Sequence, residues 1–449
     1  MTDTIYALAS APGRAGVAVV RVSGPKAFES LVALTDPLPL PDARVASLRK
    51  LKNPVTGGSV DEAVIIRFVA PHSFTGEDVV EYHIHGGRAV LDALTLTLSQ
   101  MPGHRMAVGG EFTRRGFENG RMDLTAAEAV ADLIAAETEA QREQALSQMG
   151  GSLSRLYEGW TDRLSKILAH IEADIDFPDE DLPEGIALKM RPGIRQIAFE
   201  IHQHINDGRR GEILREGVRI AVVGSPNAGK SSLVNALAQR DVAIVSDIPG
   251  TTRDIIEVHL NLGGYPVILA DTAGLRPDQI GHTGQAGIEQ EGIRRALSYA
   301  QSADIVLLLF DGAVLPSLDP HSLKLLDGRT VVYATKADIV RGALPRVRGL
   351  EIPAVSVSTG NGMDRLISDL AKRVSNIMGV SDRPHLTRAR HREALVQCLE
   401  SLSRAENAML PELVAEDLRL GLRSIGRITG RVDVEDLLDI IFRDFCIGK

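Results

Sequence analysis

The chain of 449 residues is longer than one hydrophobic core usually organises, so its length predicts two to four domains. Its composition is that of a globular protein, with 44% hydrophobic and 24% charged residues, and its net charge of −9 argues against a protein held on nucleic acid by bulk charge. Two cysteines give no disulfide framework, and no apolar run approaches the roughly 20 residues of a membrane helix, so we expect a cytoplasmic protein without membrane contact.

The first 118 residues have the pattern of a mixed α/β domain. Short apolar runs such as 17–22 and 63–68 predict strands, and Gly- and Pro-containing turns separate them. We therefore expect a separate N-terminal α/β domain over residues 1–118.

From Leu124 the chain becomes rich in Ala, Glu and Leu, which is typical of helices. Apolar residues recur there at steps of three and four and predict one buried helix face, formed by Leu153, Leu156, Trp160, Leu164, Ile167, Leu168 and Ile171. The acidic, Pro-containing segment 174–184 ends this helix. Helical texture resumes from Ile194 and ends at the charged stretch 209–216.

Residues Gly224 to Ser231 read GSPNAGKS and fit the phosphate-binding pattern G-x-x-x-x-G-K-[ST]. The apolar run 218–223 predicts a strand directly before the loop, which is the context that the pattern requires. In such a loop the backbone N–H groups surround phosphate oxygens, Lys230 binds the β and γ phosphates, and Ser231 offers a hydroxyl to Mg²⁺. The predicted nucleotide contacts here are Asn227, Ala228, Gly229, Lys230, Ser231 and Ser232.

Further elements follow in the order expected of a GTPase. The run 267–270 leads into Asp271-Thr272-Ala273-Gly274, in which the Asp binds Mg²⁺ through water and the Gly amide senses the γ-phosphate. The polar loop 250–254 is suited to a switch. The runs 304–310 and 330–334 predict two more buried strands.

The segment Thr335-Lys336-Ala337-Asp338 is close to the guanine-reading pattern NKxD. The Asp338 carboxylate can accept two N–H donors from guanine, a pair that adenine lacks. Thr335 stands where Asn is usual and cannot make the same two-sided amide bridge, so we expect weaker nucleotide binding with guanine selectivity retained. A final base-contacting loop is predicted at Ser356, Val357 and Ser358. These elements predict a Ras-like, doubly wound α/β P-loop GTPase domain over residues 216–377.

Residues 388–445 again have helical texture, with one apolar face formed by Val434, Leu437, Leu438, Ile441, Phe442 and Phe445. Helices on both sides of the GTPase segment predict one helical domain, formed by residues 119–215 and 378–449, into which the GTPase domain is inserted. The expected fold is therefore multidomain α/β plus α.

Four arginines in the last helical region recur every four residues, at Arg419, Arg423, Arg427 and Arg431. Gly421, Gly426 and Gly430 count against one continuous helix. The spacing leaves two interpretations open: a solvated face paired with Glu416 or Glu435, or a local strip that binds RNA phosphates.

Several segments together closely resemble the tRNA modification GTPase family MnmE, also called TrmE. They are GSPNAGKSS (224–232), the loop 246–254, PGRAGVAVVRVSG (12–24), SFTGEDVVEYHIHGG (73–87) and the C-terminal segment FCIGK (445–449). The phosphate and switch elements occur in many GTPases, whereas the N-terminal segments and the FCIGK tail are much more specific. The resemblance extends over essentially the whole chain.

The resemblance implies a potassium-activated GTPase that works with an FAD-containing partner of the MnmG (GidA) family. The pair installs an aminomethyl-type or carboxymethylaminomethyl-type group on carbon 5 of the wobble uridine of tRNA. The one-carbon unit comes from 5-formyl- or methylene-tetrahydrofolate bound by the N-terminal domain, which also forms a constitutive homodimer. A heterotetramer or larger complex with the partner is expected.

The resemblance also assigns residues. Folate contacts would be Arg21, Glu81, Arg121, which replaces the usual Lys, and Lys449. Leu275 occupies the position of the usual water-orienting Gln, and the resemblance gives Glu289 this catalytic role. Bound K⁺ would replace an arginine finger, held by Asn227, Ser246, Ile248 and Thr251, while Ser231 and Thr252 complete the Mg²⁺ shell. The loop contacts to GTP would be Ser246, Asp247, Ile248, Pro249, Gly250, Thr251 and Thr252.

A ribosome-assembly or signalling switch GTPase shares every GTPase motif and remains the alternative. Such proteins commonly carry a basic RNA-binding appendage. This chain instead has a folate-like N-terminal domain and an acidic balance of charge, which favours the modification enzyme.

Overall fold

The computed structural model describes residues 3–35, 39–176, 186–225, 227–244, 256–271, 299–315, 317–318, 323–340, 344–347, 349–379, 384–432, 434–443, 445–446 and 448. The helices are α1 Ala27–Leu34, α2 Arg88–Ser99, α3 Glu111–Glu118, α4 Leu124–Ala135, α5 Glu139–Met149, α6 Ser152–Asp176, α7 Ile186–Ile205, α8 Arg210–Glu216, α9 Lys230–Ala238, α10 Met363–Met378, α11 Ala389–Asn407, α12 Pro411–Thr429 and α13 Glu435–Arg443. The strands are β1 Thr4–Leu8, β2 Ala15–Ser23, β3 Ser47–Lys52, β4 Ser59–Phe68, β5 Val79–Gly86, β6 His104–Met106, β7 Val218–Gly224, β8 Ile256–Leu262, β9 Tyr265–Asp271, β10 Ile305–Asp311, β11 Thr330–Thr335, β12 Arg346–Val347 and β13 Leu350–Glu351.

The chain forms two compact units. Unit 1 comprises residues 1–131, 148–198 and 394–449, and unit 2 comprises residues 132–147 and 199–393. The three-domain boundaries expected from the sequence stay a prediction. Within the described ranges, no helix is both long and apolar enough to cross a membrane.

Unit 1 contains a six-stranded sheet in the order β3-β4-β5-β2-β1-β6. Its neighbours pair antiparallel except for β1 and β6, which pair parallel. On one face, α1 and α2 contribute Leu31, Leu34, Leu94 and Leu98 to a core with the strands. A smaller cluster joins β1 to Phe112 of α3. The predicted N-terminal α/β fold is confirmed.

The helical part of unit 1 is built around α6 and α12. The predicted apolar stripe of α6 is buried at Leu153, Trp160, Leu164, Ile167 and Ile171, whereas Leu156 and Leu168 are half-buried. Tyr157, which the prediction did not include, is also buried. In the sequence, three glycines counted against a continuous α12. The helix nevertheless runs through Gly421 and Gly426 and ends at Thr429, followed by Gly430, whose φ of +87° favours glycine. A Cβ at Gly421 would lie 3.6 Å from Cys398 Sγ, an ordinary van der Waals contact, so α12 packs against α11 at this position.

Unit 2 contains a five-stranded sheet in the order β11-β10-β7-β9-β8. The pairs β11–β10, β10–β7 and β7–β9 are parallel, and β8 adds an antiparallel edge. All seven residues of β10 are buried, as expected of a central strand covered on both faces. Separate apolar cores lie on the two faces, one including Leu233 and Leu366, the other Ala300 and Ala303. This is the predicted doubly wound α/β fold.

Candidate functional sites

The loop from β7 to α9 has the backbone shape that a phosphate cradle requires. A Cβ at Gly224 would lie 2.3 Å from the Leu309 carbonyl oxygen, so only glycine fits at this close approach to β10. Asn227 and Gly229 have φ of +65° and +76°, and Gly229 directly precedes the first residue of α9. The turn thus leads straight into the N-terminus of α9, whose first N–H groups have no partner within the helix and attract anions.

Lys230 lies in this loop with its ammonium group held by backbone carbonyls. Its Nζ donates hydrogen bonds to the carbonyl oxygens of Gly224 (2.9 Å) and Ser225 (3.0 Å). Ser231 and Ser232 follow in the exposed first turn of α9. The backbone of Asp271 pairs with Val222 at the carboxyl end of β7. Hydroxyl oxygens are among the ligands that Mg²⁺ prefers, so the exposed Ser231 hydroxyl is of the kind that could bind a nucleotide-bound magnesium ion.

The predicted base-reading residues meet at the carboxyl end of the same sheet. Ser356 Oγ donates a hydrogen bond to Asp338 Oδ1 at 2.5 Å, and Ser356 and Ser358 share a hydroxyl hydrogen bond of 2.9 Å. Ser356 is buried, whereas Asp338 is exposed. The hydrogen bond from Ser356 lowers the pKa of Asp338. The structure therefore presents an ionised, oriented carboxylate to solvent, as guanine recognition needs.

Lys336 is fixed by a residue that the sequence motifs did not identify. Its Nζ donates to Asp311 Oδ2 at 2.7 Å, and Asp311 is the last residue of β10. The other carboxylate oxygen, Oδ1, accepts from the Ala313 backbone N–H. Asp311 thus positions the lysine stem beside the base-reading loop. An acidic residue at the end of a buried strand was the available sequence signal.

Thr335 is buried, and its hydroxyl makes no hydrogen bond to the part of the phosphate loop that the structure describes. Its hydroxyl donates to the Phe310 carbonyl oxygen at 3.2 Å. Its side chain approaches Gly229, where an added Cβ would lie 3.8 Å from Thr335 Oγ1. At Gly229 the described residues of the two loops therefore meet by packing.

Some predicted contacts lie outside the described residues. They are Ser246, Asp247, Ile248, Pro249, Gly250, Thr251, Thr252, Thr272, Ala273, Gly274, Glu289 and Lys449.

A second candidate site lies on the sheet of unit 1, where Arg21 of β2 is directly opposite Glu81 of β5. Arg21 donates to Glu81 Oε1 from both Nε (3.0 Å) and Nη2 (2.9 Å). The guanidinium carbon also lies 5.2 Å from the centroid of the Phe74 ring and 5.7 Å from that of Phe112. The structure thus brings together the two predicted folate residues and flanks them with two aromatic rings that the sequence did not single out.

Arg121 is joined to the segment that carries Phe74. Its Nε donates to the Ser73 carbonyl oxygen at 3.2 Å, and Asn119 Nδ2 donates to the Thr75 carbonyl oxygen at 2.7 Å. A Cβ at Gly116 would lie 2.9 Å from the Phe74 carbonyl oxygen, so α3 packs closely beneath this segment. Residues 73–77 and α3 together form one wall beside Arg21.

A buried arginine underlies this wall. The Arg115 side chain is 0% exposed and forms ion pairs with Asp3 (2.9 Å), Glu77 (3.1 Å) and Glu111 (3.0 Å). Glu77 also accepts a hydrogen bond from Ser23, two residues after Arg21 on β2. A buried charge is tolerated only when it is paired, so this network holds residues 73–77 in place.

The C-terminal tail contacts the same region. The Gly110 N–H donates to the Cys446 carbonyl oxygen at 3.3 Å, just before Phe112. A Cβ at Gly448 would lie 2.0 Å from the Leu8 carbonyl oxygen, so the tail backbone runs directly against the end of β1. Cys446 and Gly448 are therefore close to α3 and to the strand that neighbours β2.

Comparisons with known proteins match the full chain. Family profiles for the "MnmE helical domain" and the "GTP-binding protein TrmE N-terminus" match residues 124–446 and 4–121. A tRNA modification GTPase MnmE of Parvibaculum lavamentivorans is 53% identical over 100% of both chains. The human mitochondrial protein "5-taurinomethyluridine-[tRNA] synthase subunit GTPB3" is 44% identical over 99% of this chain and 93% of its own.

Among solved structures, Era of Aquifex aeolicus is 21% identical and covers 43% of this chain and 69% of its own, with a TM-score of 0.27. A likeness this low carries no argument about the fold, which rests on the sheet order given above. The two family profiles and the full-length relatives carry the assignment: the chain belongs to the MnmE (TrmE) family of tRNA modification GTPases.

Proposed function

We propose that this chain is a potassium-activated GTPase that modifies carbon 5 of the wobble uridine of tRNA with a folate-derived one-carbon unit. Its partner would be an FAD-containing protein of the MnmG family, in a heterotetramer or larger complex built on a homodimer of this chain. One observation carries the proposal: a phosphate loop with a guanine-reading loop and an Arg–Glu pair flanked by aromatic rings occur in one chain.

The Arg21–Glu81 pair has the chemistry to bind a reduced folate. A carboxylate can accept paired N–H donors from the amino-pyrimidine edge of a pterin, and a guanidinium can donate to anionic or carbonyl groups. Phe74 and Phe112 offer apolar faces beside it. Arg121 and Lys449 would add positive charge for the acidic part of the folate. Bound folate would supply the one-carbon unit.

In GTP hydrolysis we assign Lys230 and the N–H groups of the loop to the β and γ phosphates, with Ser231 and Thr252 at Mg²⁺. Leu275 cannot hydrogen-bond water, so Glu289 would orient the attacking water through a second water. Asn227, the Ser246 and Ile248 carbonyls and Thr251 would hold K⁺, which supplies positive charge at the developing anion. Asn227 is exposed in the phosphate loop, so its side chain is accessible to a cation.

Mass spectrometry of tRNA nucleosides tests the function as a whole. Cells that lack the gene are expected to lose the aminomethyl-type or carboxymethylaminomethyl-type group at the wobble uridine and to regain it when the chain is supplied. Unchanged wobble uridines would favour the alternative, a ribosome-assembly or signalling switch GTPase, because that function shares the nucleotide site and requires no tRNA chemistry.

Asp338→Asn is expected to change the base preference from guanosine to xanthosine nucleotides. The amide donates where the carboxylate accepted, so GTP affinity should fall by about 100-fold or more, since hydrogen bonds to charged groups are lost. Affinity for xanthosine triphosphate should rise in the same variant. Titration with fluorescent analogues of both nucleotides measures the two affinities. A gain in affinity for xanthosine triphosphate rules out unfolding of the variant. Unchanged GTP binding would remove Asp338 from the base site.

A further inference from the structure

His83 lies beside the Arg21–Glu81 pair, on the same strand and on the same face of the sheet as Glu81. The two residues are two positions apart on β5, and strand side chains at that spacing point to one face. Both side chains are largely covered, with 27% of His83 and 16% of Glu81 exposed. The folate contacts assigned above do not include this histidine.

The two oxygens of the Glu81 carboxylate have different surroundings. Oε1 accepts both hydrogen bonds from Arg21, at 3.0 and 2.9 Å. Oε2 lies 3.5 Å from His83 Nε2, and no hydrogen bond to Oε2 forms within the described part of the chain. Oε2 is therefore the oxygen that remains for a ligand, and His83 is the neighbour that can orient it.

The position of the His83 ring in the sheet leaves Nε2 close to this oxygen. Val19 of β2 and Val64 of β4 are directly opposite His83, and neither valine side chain can form a hydrogen bond. Nε2 is buried and has no hydrogen-bond partner among the residues that the structure describes. A buried polar atom costs free energy until a partner satisfies it.

The charge on Oε2 determines what His83 can offer. A carboxylate oxygen favours the imidazole tautomer that carries its proton on Nε2, because that N–H then points toward negative charge. The separation of 3.5 Å is only slightly longer than the usual range of about 2.7–3.2 Å, so a small side-chain movement forms the bond.

We propose that His83 is a positioning residue of the folate site, whose Nε2–H holds Glu81 Oε2 in the orientation that accepts the 2-amino group of the pterin. Arg21 fixes one oxygen of the carboxylate and His83 fixes the other. The carboxylate is then oriented before the amino-pyrimidine edge arrives, which lowers the entropy cost of binding. The inference rests on the proposed function, in which a reduced folate is the ligand of this site.

The test measures binding of 5-formyl-tetrahydrofolate to the full chain by calorimetry. His83→Leu is expected to lower the affinity by about tenfold, since it removes one hydrogen bond to a charged group. His83→Gln is expected to stay within about twofold of the unmodified chain, because its amide also donates and reaches nearly as far as Nε2. Leucine is compatible with the two neighbouring valines, so GTP hydrolysis and the thermal midpoint of unfolding should be retained.

A folate analogue with a methyl group in place of the 2-amino group gives a readout that a merely structural role would not change. This ligand makes no hydrogen bond to Oε2 through that position, so His83→Leu and the unmodified chain should bind it equally. His85→Leu is the matched control, two positions further along β5. Its Nδ1 lies 2.8 Å from Asp61 Oδ1 and its side chain is 71% exposed, so this variant should bind both ligands normally.

The outcomes separate this inference from the proposed function. Unchanged affinity for 5-formyl-tetrahydrofolate in His83→Leu overturns the inference, and so does an equal loss with both ligands, which would indicate a general disturbance of the sheet. Poor binding by His83→Gln, or a loss in His85→Leu as large as that in His83→Leu, also overturns it. In each of these cases, folate binding by the unmodified chain upholds the proposed site. If the unmodified chain binds no 5-formyl-tetrahydrofolate, the folate site and this inference fall together.

Discussion

Replacement of Na⁺ by K⁺ at equal ionic strength is expected to raise the kcat of GTP hydrolysis by about tenfold to 10³-fold. The upper end of this increase approaches the lower range of the effect of an arginine finger. The smaller Na⁺ fits a cage of Asn227 and loop carbonyls poorly, so it would leave the developing phosphate charge less stabilised. In the proposed mechanism this cage would require residues 246–252 to close over the nucleotide. Loop closure, pairing of GTPase domains and hydrolysis should therefore rise together with K⁺, as measured by phosphate release and light scattering.

Removal of the Asn227 side chain should abolish the difference between K⁺ and Na⁺. Because Asn227 has a φ of +65°, alanine there adds strain of about 1 kcal/mol, and Asn227→Gly is the cleaner deletion. GTP should stay bound in both variants, since Lys230 and the backbone N–H groups remain. Glu289→Ala should slow hydrolysis yet preserve K⁺-driven pairing, because the carboxylate acts on water.

Equal rates in the two salts for the unmodified chain would contradict the potassium mechanism. They would favour an ordinary switch GTPase that awaits a separate activating protein. Retention of the K⁺ preference in Asn227→Gly would instead remove only this side chain from the cation site.

Glu81→Ala is expected to lower affinity for 5-formyl-tetrahydrofolate by about 100-fold or more, because it removes a charged acceptor and leaves the Arg21 guanidinium unpaired. Arg21 is only 17% exposed, and both of its bonds to this residue go to one oxygen, Oε1. Glu81→Gln should also bind poorly, since an amide presents one donor and one acceptor where the ligand needs two acceptors. Calorimetry of the full chain with the folate gives both values.

Asp92→Ala provides the control within the same sheet domain. Asp92 pairs with Arg88 on α2, where the two side chains are 68% and 94% exposed, so its loss should change neither folate binding nor stability. GTP hydrolysis should be retained in all three variants. Loss of folate binding and GTP hydrolysis together would indicate misfolding, and normal folate affinity in both Glu81 variants would exclude this residue from the site.

Local sequence patterns were sufficient to predict the secondary structure around the phosphate loop. The apolar run before Gly224, the glycines and Lys230 predicted a strand, a turn and a helix that the structure contains. Such signals lie within a few residues of each other, so no knowledge of distant contacts is required. The pairing of Arg21 with Glu81 was expected only through the family resemblance, because the two positions are 60 residues apart.

The other features of the structure depended on contacts between residues far apart in the chain, which a local sequence pattern does not contain. Phe74 and Phe112 reach Arg21 from separate segments. Arg419 and Arg431 meet glutamates 247 and 273 positions away, so the spacing alone could not show which acidic residues these two arginines pair with. The glycines of α12 have low helix propensity, but tertiary packing against α11 overrides that preference.

The apolar cluster that joins α3 and α4 to α13 can form only late in the synthesis of the chain on the ribosome. Leu124 and Ala127 pack with Leu438, Phe442 and Phe445, and the nearby Arg114–Asp439 bond joins residues 325 positions apart. At a synthesis rate of about 5–20 residues per second, roughly 16–65 s pass between the synthesis of Arg114 and that of Asp439. The strands of unit 2 are therefore synthesised before this cluster can form, and the apolar surface of α3 and α4 is expected to stay uncovered during that interval.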